Sequence, residues 1–206
     1  MNLLNKLVYL IIFLVLVSCS PTKTTVSWKK PDYHEPHFQK IAVIGLVGNL
    51  TARQNLEQET AQELVQKGMS ATASMNFLPP NTQGKSSNIE RLTRLLKAKG
   101  FDAVLTVSLD DIDKERHYVP GRTTYHPHTR YHRFGNYYTT SYHRVRRPGY
   151  FTSSATFYIE SNLYDLDSQE LVWMTQAKTT DPNSLKSASK SYAKNLTNEM
   201  KKEGII

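Results

Sequence analysis

Phe38–Leu46 reads FQKIAVIGL. Its second half is β-branched and almost wholly apolar, as expected of a strand buried on both faces, where neither alternate set of side chains meets water. The sequence downstream makes this strand the first leg of a crossover unit. Thr51-Ala-Arg-Gln54 has the form of a capping box opening a helix. Leu56, Thr60 and Leu64 repeat at four-residue spacing, with Ala61 and Val65 alongside, and Gly68 supplies the stop. A second strand is predicted within Met69–Phe77, ended by Leu78-Pro79-Pro80, and Asn81–Ser86 reads as loop. Ser87-Asn-Ile-Glu90 is a second capping box; Ile89, Leu92, Leu95 and Leu96 share one side of its helix, and Gly100 closes it. Phe101–Leu109 (FDAVLTVSL) then repeats the buried-strand pattern. Strand, helix, strand, helix, strand is the order of parallel pairing through crossover helices.

Beyond residue 150 the pattern changes. Along Phe151–Leu166, Phe151, Ala155, Phe157, Ile159 and Leu163 fall on one face and Thr152, Thr156, Glu160 and Asn162 on the other. Asp165–Ser168 is a turn, and Glu170–Ala177 returns as the antiparallel partner. Asp181-Pro182 marks a helix start. Leu185, Ala188, Tyr192, Leu196 and Met200 form its apolar stripe, with lysines 186, 190, 194 and 201 outside and Gly204 at the end. The fold class expected is α/β: a single domain over residues 38–206, with a mixed sheet of about five strands and three helices in the order β-α-β-α-β, insertion, β-β-α.

The insertion, about residues 116–150, carries the unusual chemistry. Arg116–Ile159 contains no acidic residue. Arg122, Arg130, Arg133, Arg144, Arg146 and Arg147 alternate with Tyr118, Tyr125, Tyr131, Phe134, Tyr137, Tyr138 and Tyr142, and five histidines lie among them counting His117. A bare loop of this length is uncommon inside a domain. Gly135-Asn136, flanked by Tyr131–Phe134 and Tyr137–Thr140, fits a hairpin tip. Guanidinium forks suit phosphate and carboxylate, and tyrosine rings suit sugars or stacked rings. The residues expected to hold a partner are Arg122, Arg130, Tyr131, Arg133, Tyr137, Tyr138, Arg144, Arg146 and Arg147. A mobile solvated loop, or a hairpin packed against a second copy of the chain, are the competing readings.

Upstream, Ser20–His37 has three prolines and no periodicity, and residues 19–37 read as a flexible tether. Trp28 and Tyr33 stand out in it, suited either to the domain surface or to lipid headgroups. Before it come Lys6, the apolar run Leu7–Val17 (LVYLIIFLVLV) and Ser18-Cys19, the order of a secretory signal over residues 1–18. As a helix the run is roughly 16 Å long, against the roughly 30 Å of a bilayer core. The ending L-V-S-C resembles the lipobox of bacterial lipoproteins, which implies acylation of Cys19 and cleavage just before it. Ser20 in the next position resembles outer-membrane sorting in enterobacteria, where an Asp there signals retention. Cys19 is the sole cysteine, so acylation removes any disulfide, thiolate metal site or cysteine nucleophile.

The chain is 39% hydrophobic and 21% charged, which excludes wholesale disorder, and its formal net charge is +8. For an exported chain that charge points to anionic lipid headgroups, glycolipid phosphates or acidic cell-wall polymers rather than to nucleic acid. KIAVIGL, KGFDAVLTV and NLYDLDSQELVW together resemble Gram-negative envelope lipoproteins sharing the α/β domain of the curli-secretion lipoprotein and of the TolB amino-terminal domain. The resemblance implies a role in envelope assembly, transport or scaffolding from a periplasm-facing outer-membrane anchor, and brings no catalytic residues or cofactor. The curli-secretion family places membrane-spanning hairpins in this region. Here one face of residues 125–134 reads Tyr, Pro, Thr, Tyr, Arg and the other His, His, Arg, His, Phe, and neither suits lipid.

Three further sites are weighed. His126, His128, His132 and His143 could hold zinc, copper or nickel, although no carboxylate lies near and the spacing matches no zinc signature. Gly45-Leu-Val-Gly48 lacks the third glycine of a dinucleotide loop. Asp110, Asp111, Asp113 and Glu115 form an acidic cluster at the end of the third strand, suited to a cation or to pairing with nearby arginines. No G-x-S-x-G, H-E-x-x-H or paired-carboxylate motif occurs, so the sequence favours a non-catalytic protein. The runner-up is a periplasmic binding or sensor lipoprotein for a small anionic ligand or a metal ion.

Overall fold

The computed structural model describes residues 22–31, 33, 38–79, 89–131 and 138–206, through the backbone alone at 125–131 and 138–145. The chain divides into two compact units: Met1–Ile112 with Thr156–Ile206, and Asp113–Ala155.

The first unit is built on a six-stranded sheet. Its strands are β1 (Thr22–Lys29), β2 (Lys40–Leu46), β3 (Ser70–Ala73), β4 (Ala103–Val119), β7 (Tyr150–Asp165) and β8 (Leu171–Thr180), in the spatial order β1-β8-β7-β4-β2-β3. β2 runs parallel to both β3 and β4, while β8 is antiparallel to β1 and to β7. Thr106 donates to the Asn162 carbonyl and Ser108 to the Glu160 carbonyl, so β4 and β7 run in opposite senses. The expected mixed α/β architecture is the one found.

The continuous apolar run at 41–44 has the predicted cause. Ile41 and Val43 enter one core with Leu64, Leu105, Trp173 and Leu196, drawn from helices α1 (Leu50–Gln66) and α3 (Leu185–Lys202) and from neighbouring strands. Ala42 and Ile44 enter a second core on the opposite face, with Leu96 of α2 (Ile89–Ala98), Phe101 and Val104. A strand covered on both faces cannot alternate with polar residues. Gly68, Gly100 and Gly204, the three expected helix stops, all take positive φ (90°, 76° and 66°), where a side chain would be strained.

Several expectations need correction. Residues 22–29 of the supposed tether are an edge strand. Thr22 and Thr179 share a hydroxyl hydrogen bond of 2.8 Å, Thr24 donates to Asn195, and Ser27 donates to Glu203. This strand is held by backbone pairing and hydroxyl groups, which apolar periodicity does not register. Trp28 within it is half-exposed, and Tyr33 packs against the first core and stacks on Phe38. The cap of α1 is Asn49, whose side chain accepts from the Ala52 amide, rather than Thr51. α3 opens with a capping box of Ser184 and Ser187, not at Asp181-Pro182, because both serine hydroxyls satisfy backbone amides there. Leu185 and Ile89, assigned to buried stripes, are exposed because each is the first residue of its helix.

The second unit contains the end of β4, the start of β7 and a two-stranded antiparallel ribbon of β5 (Arg122–Tyr131) and β6 (Tyr138–Arg147). The hairpin expected in the insertion is therefore present, but its register differs from the expected one. A two-residue Gly135-Asn136 tip would set Tyr131 against Thr140; Tyr131 instead lies opposite Tyr138. A strand whose sequence shows no apolar alternation specifies its register only weakly. Residues 135 and 136 themselves lie outside the described residues, as do the cap at Ser87 and the leader over 1–18.

Candidate functional site

The ribbon unit concentrates the charge. Residues 113–155 hold eight Lys or Arg against two Asp or Glu, a net of +6 out of +8 for the whole chain. Seven of the eight are arginines. Arginine presents a planar fork with five donors that matches phosphate or carboxylate bidentately, which the lysines of α3 cannot do.

The pairing register sorts this chemistry onto two faces. Directly opposed residues in an antiparallel ladder share a face, and the face alternates along each strand. One face receives the pairs Thr123–Arg146, Tyr125–Arg144, Pro127–Tyr142, Thr129–Thr140 and Tyr131–Tyr138. The other receives Arg122–Arg147, Thr124–Val145, His126–His143, His128–Ser141 and Arg130–Thr139. Every tyrosine of the two strands falls on the first face and every histidine on the second. Of the sequence-predicted partner residues, Tyr131, Tyr138, Arg144 and Arg146 share the tyrosine face, and Arg122, Arg130 and Arg147 the histidine face. Arg133, Tyr137 and His132 lie outside the described residues, as does Cys19.

The strands enter and leave the ribbon through a matched pair of corners, Pro120-Gly121 and Pro148-Gly149. The corners touch. A Cβ on Gly121 would sit 2.7 Å from the Arg147 carbonyl oxygen and from the Gly149 nitrogen, and one on Gly149 would sit 2.1 Å from the Tyr118 hydroxyl. At Gly121 the added atom would meet backbone, so only glycine fits there, whereas at Gly149 it would meet the end of the Tyr118 side chain, which would have to move aside. Tyr118 also packs on Phe151, ring centres 5.1 Å apart. Arg146 and Arg147, both exposed, line a polar recess here together with Tyr118, Thr123 and the two glycines. The corner was missed in the sequence, though its signal is the repeated Pro-Gly at the two ends of the arginine-rich stretch.

The other sequence candidates take different roles. Gly45 lies inside β2, and its amide donates to Glu57 at 2.9 Å. Glu57 is fully buried; it also accepts from Arg53 Nε, from the Ser74 hydroxyl and from the Met75 amide, each at 2.8 Å. Arg53, itself buried, donates to the Ser74 hydroxyl at 3.0 Å. The network braces β2, α1 and the 3-10 turn Ser74–Asn76, and the sequence reading overlooked it because Arg53 and Glu57 at four-residue spacing look like a surface pair.

The acidic cluster does not end a strand, because β4 runs on to Val119. Asp110 accepts from Gln176 at 3.3 Å, Asp111 accepts from the Ile112 amide, and Glu115 pairs with His117 at 3.0 Å rather than with an arginine. Among the described residues, no three His, Cys, Asp or Glu gather to hold a metal. Among the described residues no helix is long and apolar enough to cross a membrane. In the first unit an apolar recess of about 80 Å³ lies between Val47, Leu56, Leu109, Phe157 and Leu185, and offers almost no polar lining for a charged ligand.

No protein-family model matches the chain, and no curated protein matches it. Similar solved structures include the PelC dodecamer from Paraburkholderia phytofirmans, at 12% identity and a TM-score of 0.45 over 85% of this chain and 94% of that one. Another is lipoprotein GNA1162 from Neisseria meningitidis, at 15% identity and a TM-score of 0.43 over 81% of this chain and 99% of that one. A lipoprotein therefore stands among the similar structures, and at these values neither transfers a function to this chain.

Proposed function

We propose that the protein is a non-catalytic lipoprotein, held by acylated Cys19 in the periplasm-facing leaflet of a Gram-negative outer membrane. It acts in envelope assembly, transport or scaffolding by presenting the 113–155 ribbon to an anionic partner. What supports the reading is the segregation of charge, with a net of +6 in 113–155, combined with a register that groups four tyrosines with Arg144 and Arg146. Arginine forks bind phosphate or carboxylate, and tyrosine rings cover sugar faces, so acidic glycolipids and cell-wall polymers are the partners this chemistry suits. Each arginine near such a surface contributes about 1 kcal/mol, an effect that fades as salt rises.

Two measurements test the two halves of the reading. Palmitate labelling and fractionation of wild type and Cys19→Ser test the anchor; a Cys19→Ser form still held in the membrane fraction overturns it. Sedimentation of purified Cys19→Ser protein with vesicles of acidic glycolipid or of zwitterionic lipid tests the ribbon. Binding to the acidic vesicles alone, weakening with salt and with Arg144, Arg146 and Arg147 all changed to Ala, is the expected result. Equal binding to both vesicles, or none to either at low salt, overturns it.

A further inference from the structure

We propose that the outer face of β1 is a lipid contact of the first unit, with Val26 and Trp28 entering the headgroup layer of the bilayer that holds Cys19. The inference rests on the acylated anchor proposed above and is independent of the ribbon. The pairing register sorts the two sides of β1. Thr24 donates to Asn195 of α3 at 3.0 Å and Lys29 to the Glu203 carbonyl at 3.1 Å, so both face the helix side of the sheet. Their partners on β8, Ala177 and Trp173, enter the first core on that side. The alternate residues turn to the opposite face, where Lys23 lies against Lys178, Val26 against Gln176 and Trp28 against Met174. A register shift between Thr24 and Val26 produces this arrangement; in a regular strand Val26 would follow Thr24 to the helix side. Both large apolar side chains of β1 therefore meet solvent, Val26 51% and Trp28 41% exposed.

The composition and position of that face point to lipid. Indole rests at headgroup level in a bilayer, and lysine beside it meets anionic headgroups. Lys23 and Lys178, both exposed, stand at the end of β1 nearer Cys19. Two acidic groups lie towards the same side, but Glu160 accepts from Asn162 at 2.7 Å and Asp110 from Gln176 at 3.3 Å. Three peptide units separate Cys19 from Thr22, a reach of at most about 10 Å. Trp28 is roughly 20 Å further along the strand, so the contact requires β1 to lie along the bilayer plane. Two side chains do not hold a bilayer unaided; tethering at Cys19 supplies the effective concentration that makes the contact persist.

Tryptophan fluorescence tests this directly. The chain has two tryptophans, and the other, Trp173, is fully buried with its indole donating to Glu203 at 2.5 Å. Residues 113–155 contain none, so the ribbon adds nothing to the signal. The full-length protein is purified from membranes, its mass read for acylation, and reconstituted into vesicles of phosphatidylglycerol and phosphatidylcholine, with or without bromine on the acyl chains. The expected result is Trp28 emission at shorter wavelength than in the Cys19→Ser protein free in solution, and quenched at least about twofold by the brominated lipid. Trp28→Phe abolishes the quenching and leaves the Trp173 emission, while Val26→Glu weakens the quenching. An acylated protein with no bromine quenching overturns the inference and leaves the anchor standing. Quenching that survives Trp28→Phe overturns it too. So does shielding of Trp28 from aqueous iodide that grows with protein density without bromine quenching, which assigns the face to a second copy of the chain. A bare Cys19 in the mass spectrum removes the anchor and this inference together.

Discussion

The two units of the chain are made of opposite materials. In the first, β2 buries both its faces, Trp173 and Tyr192 are fully enclosed, and even the charged pair Arg53–Glu57 is shut away from solvent. In the second, every residue of 113–118 is exposed, and the strands are joined by backbone ladder and glycine corners. Burial specifies the first unit residue by residue; in the second, what the described residues show is a backbone ladder, two tight corners and the Tyr118–Phe151 contact. Substitutions in the first should therefore be read in stability, and substitutions in the second in binding.

The sharpest way to break that contrast is Glu57→Ala. It leaves the Arg53 guanidinium, the Gly45 amide and the Met75 amide without the carboxylate that serves them, at an expected loss of about 3 to 5 kcal/mol in urea unfolding. An unchanged midpoint would mean the network holds nothing together. Gly45→Ala is next: its Cβ would approach Arg53 Cγ to 3.0 Å in a packed region, for an expected loss of about 1 to 3 kcal/mol by the same measurement.

Tyr192→Phe follows, removing the 2.7 Å hydrogen bond to Ser161 for about 1 to 2 kcal/mol. It also carries a pH signature. Burial pushes the Tyr192 phenol well above the ordinary tyrosine value near 10, opposed in part by the Ser161 hydrogen bond. The unfolded chain thus loses this proton first. The stability due to the neutral phenol is complete below pH 10 and is lost as pH climbs from there toward the raised folded value. Unfolding midpoints from pH 8 to 11 should fall less steeply in the Phe variant. The smallest effect on stability belongs to Arg146→Ala and Arg147→Ala, each within about 0.5 kcal/mol, while their effect appears in the salt dependence of vesicle binding.

The same contrast explains what could be read from the chain beforehand. Ile41–Ile44 announced a doubly covered strand because four apolar residues in a row have that one explanation in a short segment, and the glycines at 68, 100 and 204 announced the helix ends by backbone chemistry. β1 stayed hidden because its most buried residue is Thr22, whose partner Thr179 lies 157 positions away. Arg53 and Glu57 stayed hidden because helical spacing cannot tell a buried pair from an exposed one. In the ribbon, alternation along a single strand already put His126 with His128 and Tyr125 with Tyr131. The assignment of His143 opposite His126 waited on the register, which the Gly135-Asn136 signal places two residues off.

β1 has a consequence for where the first unit can stand. Its pairing begins at Thr22, and Glu203 fastens it through Ser27 and, by its carbonyl, Lys29. Between an acyl chain on Cys19 and Thr22, the first residue described in β1, three peptide units reach at most about 10 Å. That distance is comparable with the range over which a charged bilayer acts in physiological salt. The β1 edge would graze the headgroups rather than float clear of them, and Lys23, exposed at the outset of the strand, would be the first cation to feel them.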